Sequence, residues 1–171
     1  MSESSQNLPG TPLSEKDFQD GLILHSYDEM QARYAWDTGT AIGSYLAALK
    51  EGFLLGGRCS TCRRTVIPPR VVCEWCFRPM DEYVPLQDTG TVNTYSLCYV
   101  TWDVQRIREP EIPAVIEIDG ASPLHGILHK LGEVDPQQVR IGMRVRAVWK
   151  EPAERQGAIT DILYFKPIEE A

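Results

Sequence analysis

The sequence predicts a mainly β chain with N-terminal helices, and three observations carry that prediction. Four cysteines form two Cys-x-x-Cys pairs within eighteen residues, Cys59/Cys62 and Cys73/Cys76. A single apolar stripe at helical spacing stands before them. Five β-branched or aromatic runs, separated by short turns, follow them.

The first twenty residues are polar and broken by Pro9, Gly10 and Pro12, which reads as an arm. Within it, Ser14 and Asp17 have the spacing of a capping box with the shorter acid. A helix is expected over roughly 38–51, because Ile42, Tyr45, Leu46 and Leu49 fall at i, i+3, i+4 and i+7. Gly52 is placed to stop it. Gly39, Ala41, Gly43, Ser44, Ala47 and Ala48 keep its remaining surface thin, suited to close packing on its own ribbon or barrel or on another subunit. Three segments follow: an arm with helices over 1–51, a ribbon over 52–82 and a barrel over 83–171.

In the ribbon, the two cysteine pairs give four thiolates the reach to surround one tetrahedral zinc ion. The ten residues between them read as two extended arms around Pro68-Pro69, which brings the knuckles together in a rubredoxin-like zinc ribbon. Two disulfides are the alternative, and an intracellular setting argues against them. A closed site of four thiolates has no open position for water or substrate, so Cys59, Cys62, Cys73 and Cys76 are expected to hold structural Zn2+. Iron suits the same ligands. Trp75 and Phe77, beside the last cysteine, are expected to cover the metal.

Strands are expected at 91–101, 112–118, 124–131, 143–150 and 159–165, with a turn at 135–142. Five strands with no long helix between them point to a small closed barrel, the five-stranded OB-fold. Closure would protect the strand edges.

Net charge is −7, divided as −5 over residues 1–51, +4 over 52–80 and −6 over 81–171. An acidic barrel disfavours a single-stranded nucleic-acid module, which needs a basic groove with stacking aromatics. No apolar run approaches the ~18–20 residues that span a bilayer. The N-terminus lacks the basic end and apolar stretch of a secretory signal, so a cytoplasmic setting is expected.

The segments WDTGTAIGSYLAALKEG (36–52), GGRCSTCRRTVIPPRVVCEWCF (56–77), GTVNTYSLCYV (90–100), IPAVIEIDG (112–120), VRIGMRVRAVW (139–149) and YFKP (164–167) together resemble the zinc-ribbon/OB-fold proteins that associate with acyl-CoA enzymes. The double knuckle followed by Pro-Pro-Arg is the most specific part. The resemblance implies a non-catalytic subunit that docks on a thiolase or thiolase-like partner in a hetero-oligomer and helps close its CoA or acyl-CoA entrance. It further implies an aromatic 3-oxoacyl-CoA substrate for the complex, such as benzoylsuccinyl-CoA. A partner of acetoacetyl-CoA thiolase and hydroxymethylglutaryl-CoA synthase is the alternative.

The chain shows no catalytic constellation of its own. Four cysteines are committed to metal, and Cys98, inside SLCYV, reads as a packed thiol. His125 and His129 would share one face of a strand. His25 lies in the arm. Arg63, Arg64 and Arg70 are the candidate contacts to CoA phosphates or to an acidic patch on the partner, because guanidinium forks suit phosphate oxygens. Tyr34, Trp36 and Trp102 are candidate interface anchors, with core packing as the alternative.

Overall fold

The computed structural model describes residues 14–23, 26, 31, 33–101 and 103–168. His25 and Trp102 lie outside the described residues. The chain forms two compact units, Met1–Trp36 and Asp37–Ala171.

In the first unit, α1 spans Glu15–Gln19. The Ser14 backbone N–H and hydroxyl both donate to Asp17 Oδ2 at 2.7 Å, the capping box expected from the sequence. Tyr34 and Trp36 lie 6.3 Å apart between ring centroids, and both are exposed.

The second unit begins with α2, Gly39–Glu51. Gly52 terminates it in the left-handed region at φ +88°, its N–H reaching the Ala48 and Leu49 carbonyls. Arg155 seals that end. Its Nη1 donates to the Glu51 carbonyl at 3.2 Å and its Nε to the Lys150 carbonyl at 2.9 Å, placing a cation where the helix dipole is negative. Tyr45 and Leu49 are buried as the stripe requires, but Ile42 is exposed and Ala41 and Ala48 are buried instead. The thin face is thus part of the buried face, because small side chains let the helix sit close on the strand that follows it, Leu54–Arg58.

The ribbon sheet has the order β2-β1-β3, with β1 Leu54–Arg58, β2 Thr65–Val66 and β3 Glu82–Leu86. The two arms expected between the knuckles do not pair with each other. Thr65–Val66 turns back onto β1, and Val72 forms a single bridge with Pro79.

The barrel sheet has the order β10-β9-β4-β7-β8, built from β4 Thr89–Tyr95, β7 Pro113–Ile118, β8 Gly126–Lys130, β9 Arg144–Trp149 and β10 Ile162–Pro167. All its lateral pairs are antiparallel. The run expected as one strand over 91–101 is broken. After Tyr95 the chain leaves the barrel and forms a separate hairpin, β5 Cys98–Val100 with β6 Arg106–Glu111, before returning as β7. Cys98 sits on this hairpin and is half-buried, so it is not the core thiol expected. The turn before β9 holds a short 3-10 helix, Pro136–Gln138, whose start is fixed by Asp135 accepting from the Gln137 N–H.

Closure is also less complete than expected. β8 and β10 meet through a parallel bridge between Leu131 and Phe165, beside the Gly132 N–H to Phe165 carbonyl bond of 2.9 Å. A register shift between Ile162 and Tyr164 bends β10, so the two edges stay apart beyond that bridge. The core under the sheet is nevertheless continuous, with Leu54, Val92, Ile116, Val145, Ile162 and Phe165 all essentially inaccessible.

Among the described residues of this unit, one charged side chain is buried. Asp161 is fully buried and accepts from the backbone N–H groups of Gln156, Gly157 and Ala158 at 2.7–3.1 Å. Burial pushes its carboxyl up, but those three N–H groups outweigh it and hold the group below the usual carboxylate range. Asp161→Ala would leave three donors without an acceptor and is expected to cost about 3 kcal/mol or more, with Asp161→Asn costing less. Urea denaturation checks this; equal midpoints for wild type and Asp161→Ala would contradict the role.

Candidate metal centre and its surroundings

The two knuckles are built by one backbone pattern used twice. In the first, the Arg63 N–H donates to the Cys59 carbonyl (2.8 Å) and the Cys59 N–H to the Arg64 carbonyl (2.9 Å). In the second, the Phe77 N–H donates to the Cys73 carbonyl (2.9 Å) and the Cys73 N–H to the Arg78 carbonyl (2.8 Å). The residue after each second cysteine is therefore forced left-handed: Arg63 at φ 61° and Phe77 at φ 55°. Glycine is favoured sterically at such positions, and this chain carries two long side chains there instead.

The turns aim backbone N–H groups at sulfur. Cys59 accepts from Cys62 and Thr61, Cys73 from Cys76 and Trp75, Cys62 from Arg64, and Cys76 from Arg78. The Cys76 and Trp75 N–H groups bring the Cys73 thiol down to about 7, and the Cys62 N–H lowers Cys59. At Cys62 and Cys76 the N–H bonds from Arg64 and Arg78 also favour thiolate. Burial and the adjoining sulfurs prevail there, raising Cys62 and pushing Cys76 up to about 12. Four sulfurs this close cannot all ionise without a cation among them.

The geometry fits such a cation. All four Sγ atoms lie within 4.8 Å of one another, with Cys59–Cys76 at 3.6 Å and Cys62–Cys73 at 3.5 Å. A tetrahedron with Zn–S bonds of about 2.3 Å has edges of about 3.8 Å. Among the described residues this is the one cluster of three or more metal-ligating groups. The thiols are covered by Val66 and Met80, not by the aromatics expected to do so. Trp75 and Phe77 are 69% and 80% exposed.

The arginines separate into two roles. Arg64 lies over the Trp75 ring at 4.9 Å, and its Nη2 donates to His125 Nε2 at 3.0 Å. Glu74 Oε1 stands 3.2 Å from the same imidazole nitrogen and pairs through Oε2 with Arg70. This network joins the second knuckle to the turn before β8. Beside it the Thr65 N–H donates to Ser122 Oγ (3.0 Å) and the Ser122 N–H to the Thr65 carbonyl (2.8 Å). Arg63 points elsewhere. It lines a small polar hollow with Arg58, Ser60 and Glu82, and makes no ion pair among the described residues. The three candidate arginines are thus not gathered into one site. His125 and His129 are not gathered either: His125 serves the ribbon, and His129 Nε2 faces the Ile159 carbonyl at 3.3 Å.

Sequence reasoning missed Glu74, His125 and Ser122 as the residues fastening ribbon to barrel. No local spacing signals them, because the pairs are 51 to 61 positions apart.

Comparison with known proteins places this architecture. Residues 46–81 match the family described as ChsH2, rubredoxin-like zinc ribbon domain, and residues 83–150 match ChsH2, C-terminal OB-fold domain. A DUF35 domain-containing scaffold protein of Methanocaldococcus jannaschii is 34% identical over 125 residues, covering 71% of this chain and 86% of the relative. A Sulfolobus solfataricus crystal structure of a DUF35-family protein of unknown function superposes with TM-score 0.57 at 26% identity, over 65% of this chain and 79% of its own. A solved Ltp2-ChsH2(DUF35) aldolase shares the fold at TM-score 0.57 and 23% identity, over 79% of this chain and 98% of its own. The chain belongs to the DUF35 family of zinc-ribbon/OB-fold proteins. No helix among the described residues is long and apolar enough to cross a membrane.

Two measurements test the site. The purified chain is expected to carry one metal ion per chain, and Cys73→Ser to lose it and expose the ribbon to protease while the barrel persists. Elemental analysis with limited proteolysis reads both; full metal content in Cys73→Ser would contradict the ligand set. Separately, burial holds the His125 imidazole below its ordinary value of 6.5, Glu74 opposing and Arg64 and Arg70 assisting. A base whose folded pKa is depressed contributes stability above its unfolded pKa and loses it as pH falls, so the His125 latch should weaken below about pH 6.5. An NMR titration of the ring with its midpoint above 6.5 would show that Glu74 dominates instead.

Proposed function

We propose that this chain is the zinc-containing, non-catalytic subunit of a thiolase-type acyl-CoA complex, docking on the catalytic subunit beside its CoA entrance. The observation that carries the reading is an apolar surface built on a closed metal site. Val71, Val72, Trp75 and Phe77 are 59%, 48%, 69% and 80% exposed on and beside the second knuckle. Leu124, next to the latch histidine, is 82% exposed. A braced turn with outward aromatics has the character of an interface hot spot, in which rigid Trp and Phe side chains lose little entropy on burial. The metal supplies rigidity: with four thiolates it coordinates no substrate.

The family relative described as a scaffold protein and the aldolase assembly sharing the fold both support an accessory role. The finer reading takes the partner to be a thiolase acting on an aromatic 3-oxoacyl-CoA such as benzoylsuccinyl-CoA, in the cytoplasm. In it, Arg63, with no ion pair among the described residues, reaches a CoA phosphate or a partner carboxylate. Arg64 and Arg70 brace the second knuckle through Trp75 and Glu74, while Arg63 belongs to the first. The acidic barrel continues to disfavour nucleic acid.

The test is capture of the tagged chain from its native host, followed by thiolysis assays on what co-purifies. A stoichiometric thiolase-type enzyme whose turnover requires this chain is expected. Trp75→Asp with Phe77→Asp should weaken that association about 30-fold or more without loss of metal. Arg63→Ala should raise the apparent KM for the CoA substrate. A captured enzyme that is equally active alone, or no acyl-CoA enzyme in the capture, would overturn the reading.

A further inference from the structure

The incomplete closure between β8 and β10 leaves a cleft of about 440 Å³, lined by Pro113, Leu128, Ile159, Ile162 and Leu163, with Lys130 and Lys150 at its margin. We propose that this seam binds a small anionic amphiphile: a monocarboxylate with an aryl-alkyl or medium-chain alkyl body. The proposal concerns this chain alone and does not depend on the catalytic partner.

Three features of the seam point to that chemistry. The first is the floor. Leu128 is 68% exposed and Ile159 and Leu163 are each 39% exposed, so the cleft holds apolar area in contact with water. Ligand clefts of this size are lined mainly by apolar side chains with a few placed polar groups. An enclosed apolar cavity of about 150 Å³ already accepts benzene, so this open one has room for a ring with a short chain or for an eight-carbon tail.

The second is charge. Lys166 pairs with Glu133, Arg144 with Asp119, and Arg70 with Glu74. Lys130 and Lys150 have no ion-pair partner among the described residues. Asp161, which feels the charge of Lys150, is committed to three backbone N–H groups inside the unit. In a chain of net charge −7, two unpaired ammonium groups beside an apolar floor complement one carboxylate and an apolar body.

The third is how the gap is held open. Beyond the Leu131–Phe165 bridge, the crossing is made by a side chain. The His129 ring packs edge-on to Phe165 at 5.7 Å, and its Nε2–H donates to the Ile159 carbonyl. This clasp sets a fixed separation between the strands, where a backbone ladder would have zipped the edges together. The β8 edge over Gly126–Lys130 has no second strand partner among the described residues. The cleft is thus formed by the fold, before any ligand arrives.

The test uses the metal-loaded full chain, isotope-labelled for NMR, titrated with 4-phenylbutyrate and octanoate and, in parallel, with 4-phenylbutanol and octanol. Saturable shifts confined to β8, residues 159–163 and Lys150 are expected, with the carboxylates at Kd of about 1 mM or tighter. Lys130→Ala with Lys150→Ala should weaken the carboxylates about tenfold and leave the alcohols unchanged. Leu128→Asp, at an exposed position that tolerates charge, should abolish both. No saturable shift at the seam, shifts located elsewhere, or equal carboxylate affinity in the double lysine variant would each overturn the proposal.

Discussion

The ribbon depends on four sulfurs being held closer together than their charges permit. Its own apolar core amounts to Val66 and Met80 over the thiols, far too little to order thirty residues against chain entropy. The knuckle backbone aims N–H groups at every sulfur and thereby favours thiolates, while their mutual proximity disfavours ionising all four. A divalent cation resolves that conflict, and in doing so converts metal affinity into folding free energy. Everything on the ribbon surface inherits its position from this centre, including Arg63 and Phe77 in their left-handed turns.

The ribbon in turn matters to the barrel because the two are joined by unlike means. Leu54 enters the shared core from β1, an apolar attachment that is insensitive to pH and salt. The second join is polar, through Thr65–Ser122 and the Arg64–His125–Glu74 network. Arg64 is central there: Trp75 covers its guanidinium and His125 accepts from it, while its Nε is buried without a partner. A group so expensively placed argues that the orientation of the second knuckle is held specifically, since the apolar attachment alone would permit rocking.

What was legible in the sequence follows from which forces are local. The knuckles, the left-handed cap at Gly52 and the capping box at Ser14 are short-range devices, and each lies where its residues place it. The barrel was legible through its β-branched and aromatic runs, and in β7 and β9 buried and less buried residues then follow the pleat. The hairpin of β5 and β6 was not, because TVNTYSLCYVT is uniformly strand-forming and carries no turn signal where the chain leaves the barrel at Ser96. The incomplete closure was equally invisible: it depends on a bend in β10 and on the edge of β8, which meet only after folding. Of the candidate arginines, the sequence offered three equivalent cations. Their different roles are decided by Glu74 and His125, which come from separate elements.

The exposed side chains at left-handed positions carry the functional argument one step further. Phe77 and Leu124, at φ 55° and 66°, are both large apolar residues about four-fifths exposed. In isolation each combines two unfavourable choices, since glycine would relax the backbone and a polar residue would suit the water. Neither stabilises the chain alone, so stability of the free chain does not explain them. Phe77 belongs to the second knuckle and Leu124 to the turn before β8, two segments that Glu74 and His125 join; Val104, at φ 65° and 80% exposed, shares the combination on the separate β5–β6 hairpin. The accessory role proposed above accounts for a surface that costs stability and is held rigid by the cysteine centre on one side and the Arg64 latch on the other. Within that proposal, the knuckle face suits a docked partner better than the acidic barrel wall does.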